Sequence, residues 1–243
     1  FSKKINSNKI DYGFIGDSFV EGLGIEFKNT FFGLLKNKYK KKKFLNLGVS
    51  GYSSSIYYEK LKYFYENGYE FSKIFIFLDS SDIFDEIYRY KTSNNGQVSI
   101  NFTNDEINKL LEGKKGLINN IYNNFPGTFF LINLTINLLP QSNFIENHYL
   151  DLMINHPFGK WSHGQSKLYS EKDLSKSLEK NFYYINKIIE MTNKNNTKAI
   201  FVLYPWPGQI YAENINKKYN KYWTNFFKDK NIKLVNLNYQ FFK

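Results

Sequence analysis

The chain has 243 residues, a formal net charge of +11, 42% hydrophobic and 19% aromatic residues, and no cysteine. This hydrophobic content excludes a disordered chain, and no apolar run approaches the ~20 residues of a membrane-spanning helix. The absence of cysteine excludes disulfides, a thiol nucleophile and a cysteine-ligated metal within this span. The length fits one α/β domain, and we predict a single domain over residues 1–243.

The net positive charge is compatible with a polyanion partner, because clustered lysines attract nucleic acids and acidic surfaces. Arg89 is the only arginine among 33 basic residues, and the chain is rich in Asn, Ile, Phe and Tyr, a composition typical of an AT-rich genome. The densest basic run, Lys36 to Lys43, falls where a helix is predicted to end, and cations there complement the helix dipole. We predict solvated lysines and no nucleic-acid partner, and we keep polyanion binding as the weaker alternative.

The two ends of the sequence look cut. The first residue, Phe1, is not Met, and Lys243 follows shortly after a predicted strand. We therefore expect a longer parent protein, in which a signal peptide or an anchor can precede the visible residues. The localisation, cytoplasmic or exported, stays open.

The first predicted strand, Tyr12 to Gly16, runs into Asp17 and Ser18 within the segment DYGFIGDSFVEGLG. A serine at the end of a strand presents its hydroxyl at the sheet edge, near backbone N–H groups that can receive an oxyanion. Ser18 is therefore the candidate nucleophile. A helix that ends at about Tyr39 and a second strand, Phe44 to Leu47, follow.

The segment GDSFVEG resembles the first sequence block of the SGNH, or GDSL-type, hydrolases. This family contains esterases, lipases, thioesterases, carbohydrate acetylesterases and O-acetyltransferases. The later segment NLGVSGYSS resembles the second block, and the resemblance implies that Gly51 donates a backbone N–H to the oxyanion. A strand-to-helix turn that needs glycine for a positive φ and serine for a cap would contain the same residues.

The third predicted strand, Lys73 to Leu78, is a continuous apolar run, as expected for a parallel strand buried on both faces. In the family the third block is Gly-x-Asn-Asp, and its asparagine side chain is an oxyanion donor. Here Asp79 replaces the glycine and Ser81 replaces the asparagine, whereas Asp82 agrees with the block. A serine hydroxyl can still donate, but loss of an oxyanion donor typically costs ~2.7–4 kcal/mol. Either the oxyanion hole is rebuilt here or the activity is weakened.

The segment from Ile83 to Tyr90 is predicted to be a short helix or a loop. Asp85 and Glu86 are consecutive in it, and adjacent helix positions do not face each other. We therefore interpret them as solvated or hydrogen-bonded carboxylates rather than as an acid–base pair.

Strands and helices stop alternating between about residues 91 and 170, which we interpret as a large insertion after the third strand. It contains a predicted hairpin strand, Val98 to Phe102, and a predicted packed helix, Phe129 to Leu139, too short to span a bilayer. Substrate selection is predicted here, because loops on a rigid scaffold carry specificity. Trp161 is a candidate pocket residue, in an aromatic lid or sugar platform, and packing of the insertion onto the sheet is the equal alternative.

All three histidines, His148, His156 and His163, lie in the insertion. Their spacings of eight and seven residues match no metal-binding motif, and no HExxH-like pattern occurs. The sequence therefore predicts no metal site.

Alternation resumes with a predicted amphipathic helix, Lys172 to Thr192, and a fourth strand, Ala199 to Tyr204. Trp206 lies in the loop after this strand, at the edge of the sheet where α/β proteins bind ligands, and is a candidate pocket wall. A helix, Glu213 to Lys228, and a fifth strand, Ile232 to Leu237, complete the chain.

This order of elements predicts a three-layer α/β/α sandwich with a flavodoxin-like sheet of five parallel strands. The SGNH resemblance implies that Ser18 attacks the substrate carbonyl and that Asp17 shapes the turn. It implies an oxyanion hole made of the Ser18 and Gly51 N–H groups and the Ser81 hydroxyl, with Asp82 in support. It implies neither a metal nor an organic cofactor.

A nucleophilic serine needs a base, usually a histidine oriented by a carboxylate. In the SGNH family this pair is an Asp-x-x-His after the last strand, and we expect it beyond residue 243. The alternative base is His163.

The predicted activity is ester hydrolysis or acyl transfer through a seryl-acyl intermediate. An acylated carbohydrate is the first predicted substrate, and a lipid or small ester is the second. The alternative from another class is a catalytically impaired SGNH-like domain that binds carbohydrate or another partner. Ser81 in place of asparagine and the lack of a visible base favour that alternative.

Overall fold

The computed structural model describes residues 8–100, 157–162, 169–211, 213 and 217–241. Five of its strands form one parallel sheet in the order β2-β1-β3-β6-β7, and β4 and β5 form a separate antiparallel hairpin. The strands are β1 (Lys9–Ile15), β2 (Phe44–Asn46), β3 (Glu70–Leu78), β4 (Tyr90–Thr92), β5 (Val98–Ile100), β6 (Lys198–Leu203) and β7 (Lys233–Asn236).

The described helices connect the parallel strands, as crossover connections must. They are α1 (Ser18–Glu21), α2 (Phe31–Lys38), α3 (Ser54–Glu66), α4 (Ser81–Phe84), a π-helix (Asp85–Arg89), α5 (Pro157–Ser162), α6 (Glu171–Lys194), α7 (Pro207–Tyr211) and α8 (Lys217–Lys228). Short 3₁₀ turns occupy Phe27–Asn29 and Asn238–Gln240. Side-chain caps begin α1, α2 and α6: Asp17 caps α1, Thr30 accepts from Gly33 N–H at 3.0 Å, and Ser170 accepts from Asp173 N–H at 3.1 Å.

The two faces of the sheet pack differently. Successive strand residues point to opposite faces, so on β3 Ile74 and Ile76 face one way and Phe75 and Phe77 the other. The isoleucines join a large core formed with α3, α6 and α8, and both are fully buried. The phenylalanines pack in a smaller aromatic cluster with α1 and α2 and stay half-exposed. The helices on the two faces give the three layers.

The predicted architecture is confirmed. If the five parallel strands are numbered along the chain, their spatial order is 2-1-3-4-5, the flavodoxin-like order. The elements differ mainly at their ends. β1 begins at Lys9 and stops before Gly16, and α8 begins at Lys217 rather than at Glu213. Glu213 has a φ of 47°, a left-handed conformation that cannot continue into a helix.

The predicted insertion is only partly described. The hairpin strand is confirmed as far as Ile100, where β5 pairs with β4. The predicted helix at Phe129 to Leu139 lies outside the described residues, as do the three histidines. None of the helices in the described ranges is long and apolar enough to cross a membrane.

Candidate functional site

Ser18 begins α1 directly after the end of β1. A Cβ on Gly16 would overlap Cγ2 of Val20, so glycine is needed for α1 to fold back this closely on the strand. The Asp17 side chain accepts a hydrogen bond from the Phe19 N–H at 3.0 Å and caps the helix. Ser18 is half-buried, and its hydroxyl forms no hydrogen bond with any described residue. The turn thus presents an unengaged hydroxyl at the carboxyl end of β1.

The loop between β2 and α3 is fastened to this turn by two backbone donors. The Val49 N–H donates to the Gly16 carbonyl at 3.1 Å, and the Ser50 N–H donates to the Glu21 carboxylate at 2.7 Å. The next residue is Gly51. The sequence blocks that resemble the first and second SGNH blocks therefore lie side by side.

Gly51 has a φ of 74°, and its surroundings leave no room for a side chain. A Cβ there would overlap Nη1 of Arg89, and the Tyr90 hydroxyl donates a hydrogen bond to the Gly51 carbonyl. The positive φ and the packed guanidinium explain the glycine on structural grounds. Its role as an oxyanion donor stays a proposal.

Ser81 begins α4 at the carboxyl end of β3, and carboxylates surround its hydroxyl. Oγ lies 2.5 Å from Oδ1 of Asp79 and 3.3 Å from Oδ2 of Asp17. A hydroxyl has one proton to donate, and here its acceptors are carboxylates. To donate to an oxyanion, as the sequence predicts, the Ser81 hydroxyl has to turn away from both of them.

Asp17 and Asp79 also meet at Tyr204, which follows β6. The Tyr204 hydroxyl lies 2.8 Å from Oδ1 of Asp17 and 3.0 Å from Oδ2 of Asp79. Burial raises the pKa of the Asp17 carboxyl. It raises the pKa of Asp79 well above its usual value, and the charge of Asp17 adds to that rise. No lysine or arginine of the described residues forms an ion pair with either carboxyl group.

Asp82 fastens the end of β3 to α3. It accepts a hydrogen bond from the Tyr57 hydroxyl at 2.8 Å and one from the Asp79 N–H at 3.2 Å. The residue is fully buried, and burial followed by the charge of Asp79 raises the pKa of its carboxyl well above the usual value. Asp82 is therefore engaged in holding the end of β3 against α3, and its supporting role at the site stays a proposal.

The π-helix carries two buried carboxylates, so of the predicted solvated or hydrogen-bonded roles the structure shows partnered carboxylates and not solvated ones. Asp85 and Glu86 are each 4% exposed. Nε of Arg89 lies 2.9 Å from Oδ1 of Asp85, but burial outweighs this cation and raises the pKa of Asp85 to about 8. Glu86 accepts from the Ser53 hydroxyl at 2.8 Å and pairs with Lys180 at 2.7 Å. π-Helices often occur at functional sites.

An apolar groove of about 830 Å³ runs along the half-exposed aromatic face of the sheet. Phe19, the residue after Ser18, and Tyr204 both line it, and the ring centroids of the two residues lie 5.5 Å apart. The groove continues between β3 and α2 past Phe77 and Leu35. The candidate site therefore has an apolar extension beside Ser18.

The two tryptophans that the sequence proposed for the pocket have different places. The Trp206 ring packs edge-on against Phe19, the residue after Ser18, at 5.6 Å, and its role as a pocket wall stays a prediction. Trp161 is 8% exposed and packs against Tyr169 and Tyr219. This packing in the core agrees with the packing alternative, and a pocket role of Trp161 stays a prediction.

No base for Ser18 is found in the described part of the chain, and the alternative base, His163, lies outside it. Across the same residues, no group of three or more His, Asp or Glu side chains is placed to hold a metal ion.

Sequence reasoning missed the link between Asp17, Asp79 and Tyr204. The sequence predicts Tyr204 only as the last residue of a strand, yet the carboxyl end of a parallel strand is where polar side chains converge. The position of Tyr204 at the carboxyl end of a predicted strand was the signal that could have identified this link. Arg89 carried no comparable signal, because its packing on Gly51 depends on the π-helix.

No protein-family model matches the chain, and no curated protein sequence matches it. Among solved structures, a "putative lipolytic protein of G-D-S-L family from Desulfitobacterium hafniense DCB-2" is similar to this chain with a TM-score of 0.45 and 13% sequence identity. The alignment covers 95% of this chain and 78% of the other. At this similarity neither substrate nor chemistry passes from one protein to the other.

Proposed function

We propose that this protein is a serine-dependent acyl-transfer enzyme in which Ser18 forms a seryl-acyl intermediate, with water or a sugar hydroxyl as the acceptor. One observation carries the proposal. Ser18 is half-buried at the carboxyl end of β1, no described residue forms a hydrogen bond with its hydroxyl, and the next residue, Phe19, lines the apolar groove.

The proposed oxyanion hole consists of the backbone N–H groups of Ser18 and Gly51. It is supported by the two hydrogen bonds that fasten the Gly51 loop to the Ser18 turn. Ser81 is the third proposed donor, provided that its hydroxyl turns from the Asp79 carboxylate. The base is proposed to be the histidine of an Asp-x-x-His pair outside this sequence, and His163 is the alternative.

The first proposed substrate is an acylated carbohydrate, because Trp206 and Phe19 form an aromatic surface at the mouth of the site, and sugars stack on such surfaces. The second is an ester with an apolar acyl chain. A specific observation favours this second candidate: the groove that starts at Phe19 is lined almost entirely by apolar side chains.

A fluorophosphonate probe tests the nucleophile, because it forms a covalent bond with an activated serine. We expect mass spectrometry of the treated full-length protein to locate the probe on Ser18 and to find none in Ser18→Ala. Ser50→Ala is the control, since Ser50 is a neighbouring exposed serine and its substitution should leave labelling intact. An unlabelled wild-type protein supports instead the alternative of a domain that only binds.

The groove is tested by the acyl length of aryl esters. If it holds the acyl chain, Leu35→Asn should lower kcat/KM for the octanoyl ester by roughly tenfold and leave the acetyl ester nearly unchanged, because about 1.4 kcal/mol of apolar contact is lost. Leu34→Asn is the matched control on the same helix, since Leu34 is 57% exposed and outside the groove. Equal effects of both substitutions on both esters would favour the carbohydrate substrate.

A further inference from the structure

Asp17, Asp79, Tyr204 and Ser81 form a closed ring of oxygen atoms beside the candidate nucleophile. Tyr204 bridges one oxygen of each carboxyl group, at 2.8 and 3.0 Å. Ser81 bridges the other two oxygens, at 3.3 and 2.5 Å. Four oxygen–oxygen contacts at hydrogen-bonding distance thus join two carboxyl groups through two hydroxyl groups.

The number of protons in this ring is too small if both carboxyl groups are ionised. A hydrogen bond needs one proton, and an ionised carboxylate supplies none. The two hydroxyl groups supply two protons for four contacts, so two contacts would bring lone pairs together. One additional proton on a carboxyl group supplies a donor for a third contact.

The surroundings also disfavour two charges. Asp17 is 3% exposed and Asp79 is 1% exposed, and no described cation pairs with either of them. Two carboxylates that share one buried site cannot both ionise readily, because their repulsion is unscreened there. Desolvation acts in the same direction, since burial disfavours the charged form of each group.

We propose that Asp17 and Asp79 hold one shared proton in the folded protein, and that this proton decides whether the Ser81 hydroxyl donates into the ring or towards the substrate. When Asp79 carries the proton, it can donate to Ser81 Oγ, and the Ser81 proton is released for an oxyanion. When both groups are ionised, the Ser81 proton is held by a carboxylate. The statement about the substrate rests on the proposed function, whereas the shared proton does not.

Other ionisable groups face the pair from every element packed around it, and the direction of the pKa shifts of both acids agrees with the proposal. They are Asp82 on α4, Asp85 with its partner Arg89 on the π-helix, Tyr57 on α3, Tyr204 after β6 and Tyr219 on α8. Of these, Arg89 is the only cation, and its ion pair is with Asp85.

The first experiment measures urea unfolding of the protein against pH and requires no catalytic activity. A carboxyl group that is protonated in the folded state and ionised in the unfolded state makes stability fall as pH rises from the usual carboxyl pKa towards the pKa of the pair. The side chain of the variant Asp79→Asn cannot ionise. We expect the unfolding equilibrium constant of the wild type to rise faster than that of Asp79→Asn by up to about tenfold per pH unit in this window.

Asp11→Asn is the matched control, because Asp11 is a surface carboxylate that accepts from the Lys43 N–H and pairs with Lys42, and these contacts lower its pKa. Above about pH 5 its substitution should leave the pH dependence of the wild type unchanged. Equal pH dependence of the wild type and Asp79→Asn would overturn the shared proton.

A second variant keeps the test decisive if Asp79→Asn does not fold. Tyr204→Phe removes a donor that favours the ionised carboxylates, so the midpoint of the pH-dependent stability should move to higher pH with the same number of protons. A midpoint that stays in place would contradict the proposal.

The consequence for catalysis is read from the kcat/KM for an aryl acetate. The side-chain amide introduced by Asp79→Asn imitates the protonated acid, since it can donate to Ser81 Oγ. The ratio of kcat/KM in Asp79→Asn to that in the wild type should therefore rise with pH above the pKa of the pair. A ratio that is constant with pH would overturn the step through Ser81. If the probe does not label Ser18 at any pH, both the step through Ser81 and the proposed function are overturned. The unfolding measurements then still test the shared proton.

Discussion

At the scale of single residues, two features favour glycine at position 51: the backbone conformation and the contact with Arg89. Its φ of 74° is strained for any residue with a side chain, and Arg89 occupies the volume that a Cβ would need. The same loop is held by the Tyr90 hydroxyl. The loop beside the Ser18 turn therefore needs, at position 51, a residue without a side chain and with a left-handed backbone conformation.

Gly51→Ala should lower the free energy of unfolding by roughly 2–4 kcal/mol, because a left-handed backbone costs about 1–2 kcal/mol and the overlap with Arg89 adds a packing cost of similar size. Gly24→Ala is the control: Gly24 has a φ of 79° but nothing within 4 Å of a built Cβ. Urea unfolding of both variants separates the two costs. If the two losses were equal, the overlap with Arg89 would be shown to contribute nothing.

At the scale of elements, the π-helix joins α3 to α6 through Glu86. The Glu86 carboxylate accepts from the Ser53 hydroxyl and from the Ser55 N–H at the start of α3, at 2.8 and 2.7 Å. It also pairs with Lys180 of α6 at 2.7 Å. A buried carboxylate with several partners at once couples the two helices that pack against each other on the large core.

Glu86→Ala should destabilise the protein by about 3–5 kcal/mol, because it leaves the Lys180 ammonium half-buried without its anion and leaves the α3 donors unsatisfied. The control is Glu171→Ala, which breaks an exposed pair with Lys218. That change should cost no more than about 1 kcal/mol, since exposed ion pairs contribute little. Chemical denaturation compares them, and similar losses in both variants would refute the coupling.

At the scale of the whole molecule, acidic groups gather at the carboxyl ends of β1 and β3. Burial raises the pKa of all four of them: Asp17, Asp79, Asp82 and Asp85. Folding therefore takes up protons, and the stability of the molecule should be greater at mildly acidic than at mildly alkaline pH.

Asp85→Asn tests this pH dependence at one group. The folded pKa of Asp85 is about 8, above its unfolded value, so its share of the stability is present at low pH and is lost as pH rises towards 8. The wild type should lose stability between about pH 5 and pH 7, and Asp85→Asn should lose less. For each pH unit, the unfolding equilibrium constant of the wild type should rise by up to about tenfold more than that of the variant. Thermal unfolding at constant ionic strength measures it, and parallel curves would contradict the assignment.

Much of the fold could be predicted because its signals are local. The apolar runs of β3 and β6 and the amphipathic pattern of α6 follow from side-chain periodicity, which does not depend on distant residues. Boundaries such as the start of α8 could not be predicted, since Glu213 takes a left-handed backbone that no residue type announces. The candidate site was located through Ser18 and Gly51, whose places at strand ends are readable from the chain.

The sequence by itself determined the order of strands and helices, the parallel sheet and the position of Ser18 at the end of β1. Only the tertiary structure decided which polar groups meet there. Asp79 and Tyr204 are separated by 125 residues along the chain, and their contact exists because β3 and β6 are neighbours whose ends coincide. Burial and hydrogen-bond partners decide whether a carboxyl group is protonated, and both depend on that assembly rather than on the residue type.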